Sequence, residues 1–189
     1  MARWEPDARE RLVAAALDLF NERGYDATTV AQIAERAGLT KSTFFRHFPD
    51  KRDVLAAGQD AIAQLLRQGI SVAPADATPL AAVCSGLKSA AAGFTFNRDL
   101  APRLKAAIAA SAELQGRNAL KQIGLALAMA EALQSRGVAE RTAVVAAELG
   151  ALAFKTAHAR WAEPGENRDL GSLACDALRD LHAAAADLG

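Results

Sequence analysis

Little in this chain of 189 residues suits chemistry at a metal or a nucleophile. It has three histidines, His47, His158 and His182, and two cysteines, Cys84 and Cys175. None of them stands at a spacing that would gather a metal ion with other ligands. A Gly-rich phosphate loop and a nucleophile elbow are both missing. An enzyme is therefore not expected, and neither is a cofactor. No apolar run approaches the roughly 18 residues of a membrane span. The opening residues, M-A-R-W-E-P-D-A-R-E, are polar and mixed in charge, which does not suit a signal peptide. The expected setting is cytoplasmic, and there the two distant cysteines read as buried, reduced thiols rather than a disulfide. Net charge is zero, so no global basic field advertises nucleic acid. Strand-like alternation and internal repeats are absent as well.

What is present is helical periodicity, with hydrophobic residues making up 51% of the chain, enough for a sizeable core. The fold class expected is all-α, with about nine helices. Asp7 and Glu10 form a capping-box pair at the start of a first helix over 7–23, whose stripe is Val13, Ala16, Leu17 and Phe20. Thr29 and Gln32 form another, opening a short helix with Val30, Ile33, Ala34 and Ala37 on one face. Gly38 stops that helix in a left-handed turn. Thr40 caps the next one, which runs to about His47 before Pro49. A fourth helix is expected from Asp50, with Asp53 at N3, to Gln68 or Gly69. Its inner side would hold Val54, Leu55, Gly58, Ala61, Ile62, Leu65 and Leu66. Residues 71–78 read as a linker. Helices then follow over 79–96 with Pro79 at N1, 100–110, from Ser111 or Ala112 to about Arg136 stopped by Gly137, 140–161, and 170–188 capped by Asp169.

The helix after Thr40 sorts its side chains at about 100° per residue. Phe44 and Phe48 turn inward beside Leu39. Ser42 and Arg46 lie opposite, flanked by Thr43 and Phe45, with Lys41 and His47 at the edges. This outward face has hydroxyls, an aromatic ring and a guanidinium but no acid, which is what a helix entering a DNA major groove requires. From Leu39 to Arg52, Lys41, Arg46, Lys51 and Arg52 stand against Asp50 alone.

The run Gly24-Tyr25, Thr28-Thr29-Val30, Ile33-Ala34, Ala37-Gly38-Leu39 and Thr40-Lys41-Ser42-Thr43-Phe44-Phe45-Arg46-His47-Phe48 with Lys51 resembles the helix-turn-helix of the tetracycline-repressor (TetR/AcrR) family of transcriptional regulators. The resemblance covers about a quarter of the chain. It implies a three-helix DNA-binding domain over 1–50 and an effector-binding and dimerisation domain over 51–189. It implies double-stranded operator DNA as a partner, with Lys41, Ser42, Thr43 and Arg46 at base edges. Phe45, His47 and Lys51 would position the backbone or pack against it, and Thr29 would touch a phosphate while capping its helix. Two departures stand out. Ala31 sits where many members carry a basic residue, and Phe45 where a tyrosine is common, so fewer phosphate bonds are expected.

The resemblance further implies a homodimer through the last two helices, about 140–188, and release from DNA by a small-molecule effector. Candidate effector residues lie between 79 and 161. Phe94, Phe96, Met129, Phe154 and Trp161 could form apolar walls, Asn118 and His158 supply polar groups, and Arg103 and Lys105 could receive an anion. The Ala-rich, aromatic-poor body fits an aliphatic effector better than a flat aromatic one. A helical adaptor binding protein through the same head is the competing reading, and the acid-free face argues against it.

Overall fold

The structure is a computed structural model that describes residues 8–54, 59–93 and 98–188, and every regular element among them is helical. Nine α-helices lie within these residues: α1 (Ala8–Arg23), α2 (Val30–Arg36), α3 (Lys41–His47), α4 (Gln59–Ser71), α5 (Pro79–Ala92), α6 (Ala101–Ala110), α7 (Ala112–Ser135), α8 (Glu140–Trp161) and α9 (Leu170–Ala186). Short 3-10 turns occupy Lys51–Val54 and Arg98–Leu100. The chain divides into two compact units. One comprises Met1–Ala57 with Asp99–Ala119, the other Gly58–Arg98 with Leu120–Gly189. The boundary expected at residue 50 thus falls inside the first unit, which also takes in α6 and the start of α7.

In the first unit α1 is covered by α2 and α3 and by α6. Its buried arc is accordingly broad: Leu12, Ala15, Ala16, Leu17, Leu19 and Phe20 are buried, while Val13, expected in the stripe, is only half-buried. The Asp7 half of the expected capping box lies outside the described residues. Polar links tie α6 to α1. Arg103 donates to Asp18 at 2.8 Å, and Asn21 donates to the Arg103 carbonyl at 3.0 Å. Arg103, offered as an anion receiver, is thus paired in this unit.

The fourth helix does not begin at Asp50. Lys51–Val54 is a 3-10 turn, and α4 starts at Gln59. The two carboxylates that were to cap it bind guanidinium groups instead. Asp50 accepts from Arg52 Nε at 2.8 Å as well as from the Arg52 amide, and Asp53 accepts from Arg117 at 3.2 Å. Of the expected inner side, Leu55 and Gly58 lie outside the described residues and Ala61 is exposed; Ala63 and Ile70 are buried beside Ile62 and Leu66.

The second unit packs α4, α5, α8, α9 and the later turns of α7 round one apolar core. Small residues set its spacing. A Cβ at Gly69 would lie 2.7 Å from Gly86 Cα, so α4 and α5 meet backbone to backbone. Arg136, just past α7, donates to the carbonyls of Ile70, Ser71, Ala73 and Pro74, satisfying the open end of α4. Cys84 on α5 and Cys175 on α9 are joined by a disulfide, with Cα atoms 5.2 Å apart. This overturns the expectation of two reduced thiols. Ninety-one residues of separation say nothing of distance once α5 and α9 pack together. The apolar residues along α9 and just beyond it divide between core and surface. Leu170, Leu173, Ala174 and Leu178 are buried, whereas Ala184, Ala185 and Leu188 are exposed. On α8, Val144, Val145 and Leu152 are exposed as well. No helix of the described residues is long and apolar enough to cross a membrane.

Candidate functional site

The head is built from its caps. Thr29 and Gln32 form both halves of a capping box: the Gln32 amide donates to Thr29 Oγ1 at 3.3 Å, and the Thr29 amide donates to Gln32 Oε1 at 2.9 Å. At the other end of α2 the Gly38 amide donates to the Glu35 carbonyl and the Leu39 amide to that of Ala34. That double bond is the Schellman pattern and needs a left-handed residue; Gly38 supplies it with φ +67°. Arg11 donates to the Ala37 carbonyl and fastens the same corner to α1. Thr40 then caps α3 by accepting from the Thr43 amide at 3.1 Å.

Inside, the Phe44 and Phe48 rings lie 5.6 Å apart, both buried, as are Ile33 of α2 and Leu17 of α1. Each such side chain contributes about 1.5–3 kcal/mol by burial, so the orientation of α3 is firmly held. Outside, Lys41, Ser42, Phe45, Arg46 and His47 are exposed and Thr43 half-buried. Phe45 is 53% exposed, with its ring edge-on to Phe44. His47 lies with its ring 6.4 Å from that of Phe48. Thr43 Oγ1 is 3.0 Å from Thr40 Oγ1, so its hydroxyl is shared with the cap. Among the described residues, Lys41, Ser42 and Arg46 have no side-chain partner. The outward face expected for α3 is therefore the one the structure presents, and it carries no acid.

Lys51 stands elsewhere than expected. Its ammonium donates to the carbonyls of Tyr25 and Thr28 at 2.8 and 2.9 Å, reaches that of Asp26 at 3.5 Å, and lies 4.2 Å from the centre of the Tyr25 ring. It closes the loop between α1 and α2 rather than pointing outward. Tyr25 in turn donates to Glu113 at 3.2 Å. Burial, and then the Glu113 carboxylate, hold this phenol protonated well above its ordinary range. Arg52 is paired with Asp50. Of the four cations between Leu39 and Arg52, only Lys41 and Arg46 remain unpaired among the described residues.

The effector candidates scatter. Phe94 and Phe96 lie outside the described residues. Asn118 is half-buried and belongs to the first unit, the candidates below to the second. Met129 is fully buried, and its sulfur would sit 3.0 Å from a Cβ at Gly150, so it fills the core between α7 and α8. Phe154 is buried too. His158 and Trp161, by contrast, are half-buried with rings 5.8 Å apart, and the Arg98 guanidinium lies 5.5 Å from the Trp161 ring centre. Burial, then the nearby Lys121 ammonium, push the His158 imidazole down to about 4, so it is neutral near pH 7. Burial also lowers Lys121, which has no acid partner among the described residues. Among the described residues, the buried side-chain carbonyl of Gln122 has no hydrogen-bond partner. Sequence reasoning missed Lys121, Gln122 and Arg98. Among the described residues no three His, Cys, Asp or Glu side chains come together as a metal site.

Residues 12–57 match the model of the bacterial regulatory proteins of the tetR family. The chain is 38% identical over 81 residues to the HTH-type transcriptional regulator TcmR of Streptomyces glaucescens, a match covering 43% of this chain and 36% of that one. It thus spans about a third of the length of the curated relatives it matches. Likeness over nearly the whole chain comes from solved structures. FadR of Thermus thermophilus, a TetR-family transcriptional repressor in complex with lauroyl-CoA, is 27% identical, with 92% of this chain and 93% of that one covered and a TM-score of 0.52. A TetR-family regulator from Syntrophomonas wolfei is 19% identical, with 97% of each chain covered and a TM-score of 0.61, and shares the fold.

Proposed function

Because this chain belongs to the tetR family of bacterial regulatory proteins through its residues 12–57, we propose that it is a cytoplasmic, homodimeric repressor that binds a palindromic operator and is released by a small lipophilic effector. The observation that carries this reading is the outward face of α3: exposed, free of acid, and fixed from behind by Phe44 and Phe48. Arg46 is assigned to a guanine, which it can bond bidentately, with Lys41, Ser42 and Thr43 at neighbouring base edges. Phe45 and His47 pack on sugars and thymine methyls, and Thr29 stands over a phosphate. Two copies joined through α8 and α9 place their heads one DNA turn, about 34 Å, apart. The helix-turn-helix of the first unit carries DNA recognition, and the second unit, Gly58–Arg98 with Leu120–Gly189, carries effector binding and dimerisation.

The effector reading rests on the Ala- and Leu-rich core of the second unit, with the half-buried Lys121 ammonium near the His158 imidazole. The lauroyl-CoA held by the Thermus thermophilus relative favours an amphipathic anion with an aliphatic tail. Release requires only that such a ligand prefer a conformation in which both heads cannot dock.

Selection from random duplexes tests the DNA reading, with a gel shift on DNA upstream of the protein's own gene. The expected product is a pseudo-palindrome with half-sites about one turn apart. Arg46→Ala should relax preference at one base pair per half-site, at a cost of about 1–3 kcal/mol. Failure of both experiments to give any specific complex would sink the repressor reading. Adding a medium-chain acyl-CoA to the complex then tests release.

A further inference from the structure

We propose that Cys84 and Cys175 are a thiol–disulfide modification site, oxidised by hydroperoxides and reduced by low-molecular-weight thiols, which sets the placement of α9 on α5. The two Cα atoms are 5.2 Å apart, inside the roughly 4.4–6.8 Å that a disulfide needs. The bond is not what supplies the unit with a core. α5 and α9 already bury Val83, Leu87, Leu173, Ala174 and Leu178 in a continuous apolar cluster. In a reducing compartment a disulfide of this kind is transient, and such bonds there are usually redox-sensing or catalytic rather than staples. The two sulfurs also differ in access. Cys175 is buried and Cys84 half-buried, so Cys84 is the one a reagent meets.

The chemistry balances without a metal. Cys84 Sγ attacks the O–O bond of a hydroperoxide, releasing an alcohol and becoming a sulfenic acid. Cys175 Sγ then attacks that sulfur, its thiol proton leaves with the displaced hydroxide as water, and the S–S bond forms. The hydroperoxide is reduced and the two thiols are oxidised. In the return step a small thiolate attacks Cys84 Sγ, Cys175 leaves and takes up a proton, and a second small thiol frees Cys84 as the small disulfide departs.

The consequence lies in α9. Near its start Gly171 lets the helix approach α5, a Cβ there lying 3.4 Å from both Lys88 Cα and Ala91 Cβ. Reduction replaces a covalent contact by a van der Waals one a turn further along, so α9 shifts on α5. Its far end carries the exposed Ala184 and Ala185, with the exposed Leu188 just beyond it, and it packs against α8 with the exposed Val144, Val145 and Leu152. Those apolar residues belong to the proposed dimer surface, so this inference rests on the homodimer reading for its output.

The test uses the full chain, equilibrated with a thiol reductant or treated with hydrogen peroxide. Free thiols are counted by mass spectrometry after alkylation. The dimer dissociation constant is read by analytical ultracentrifugation, and affinity for the selected duplex by gel shift. Two alkylated cysteines in the reduced sample and none in the oxidised one are expected, with about a tenfold difference in dimer constant or DNA affinity between them. Cys84→Ser should abolish that difference, and Cys84→Ala, checked for native circular dichroism, should do the same. Persistence of two thiols after peroxide, equal constants in both states, or an unchanged response in both variants would each overturn the proposal. Should neither state bind any duplex, the repressor reading falls alone, and the thiol count and dimer constant still decide this one.

Discussion

A lysine whose donors point at carbonyls cannot also be the phosphate anchor of its helix. Lys51 spends its ammonium on the carbonyls of Tyr25 and Thr28 and on the Tyr25 ring. Lys51→Ala should therefore lower the melting temperature of the head, in line with the roughly 1–3 kcal/mol lost when charged hydrogen bonds go. It should weaken all DNA sequences alike while leaving the salt slope of binding unchanged. A slope reduced by about one would instead return the residue to phosphate. His158 gives a pH prediction. Its folded-state value, about 4, lies below the ordinary 6.5, so the unfolded chain takes up a proton first as pH falls. Stability is intact above about pH 6.5 and declines by on the order of 2 kcal/mol towards pH 4. Urea melts across that range should show the decline, and His158→Gln should flatten it. The sequence made one of these residues easier to place than the other. Phe44, Phe48 and Arg46 sort by helical angle alone, so their burial and exposure were readable. The partner of Lys51 was not, because spacing cannot distinguish a phosphate oxygen from a carbonyl that a folded loop brings back.

Elements end where local chemistry ends them, and there the sequence was most informative. Gly38 and Gly137 both take positive φ just past a helix, Thr78 caps the Pro79 start of α5, and Asp169 caps α9. Asp50 misled because Arg52 and Arg117 compete for the carboxylates that would have capped α4. Packing between elements was hidden altogether: the glycines of α4 and α5 announced no partner, and neither did Cys84 and Cys175. Two glycine substitutions separate the local from the tertiary. Gly69→Ala drives a methyl to 2.7 Å from Gly86 Cα and Ser85 O, both backbone atoms that cannot step aside. A loss of about 1–3 kcal/mol is expected. Gly116→Ala, also within a helix, meets nothing within 4 Å. It should stabilise by about 0.4–1 kcal/mol through the unfolded chain alone. Thermal melts of the two variants measure both, and equal effects would contradict the close α4–α5 approach.

At the scale of the molecule the head is weakly equipped for DNA on its own. Lys51 and Arg52 are engaged within the fold, Ala31 and Phe45 offer no phosphate bond, and Lys41 and Arg46 remain. In the proposed reading affinity must then come from two heads held at one spacing, because the second docking is intramolecular once the first has formed. The surface available for that tether is apolar: Val145 is 61% exposed, with Val144 and Leu152 on the same side of α8. Val145→Glu leaves the isolated chain little changed, since the side chain already faces solvent, but in the proposed dimer it would bury a carboxylate in the apolar contact between the two copies. The dimer dissociation constant should rise by at least about tenfold, as expected for an anchor residue, with unaltered circular dichroism. Operator affinity should fall further than the dimer constant alone requires at low protein concentration. Sedimentation and gel shift on the same preparations check both. A variant that stays dimeric would move the interface away from α8 and towards the exposed row Leu120, Ile123 and Leu127 on α7.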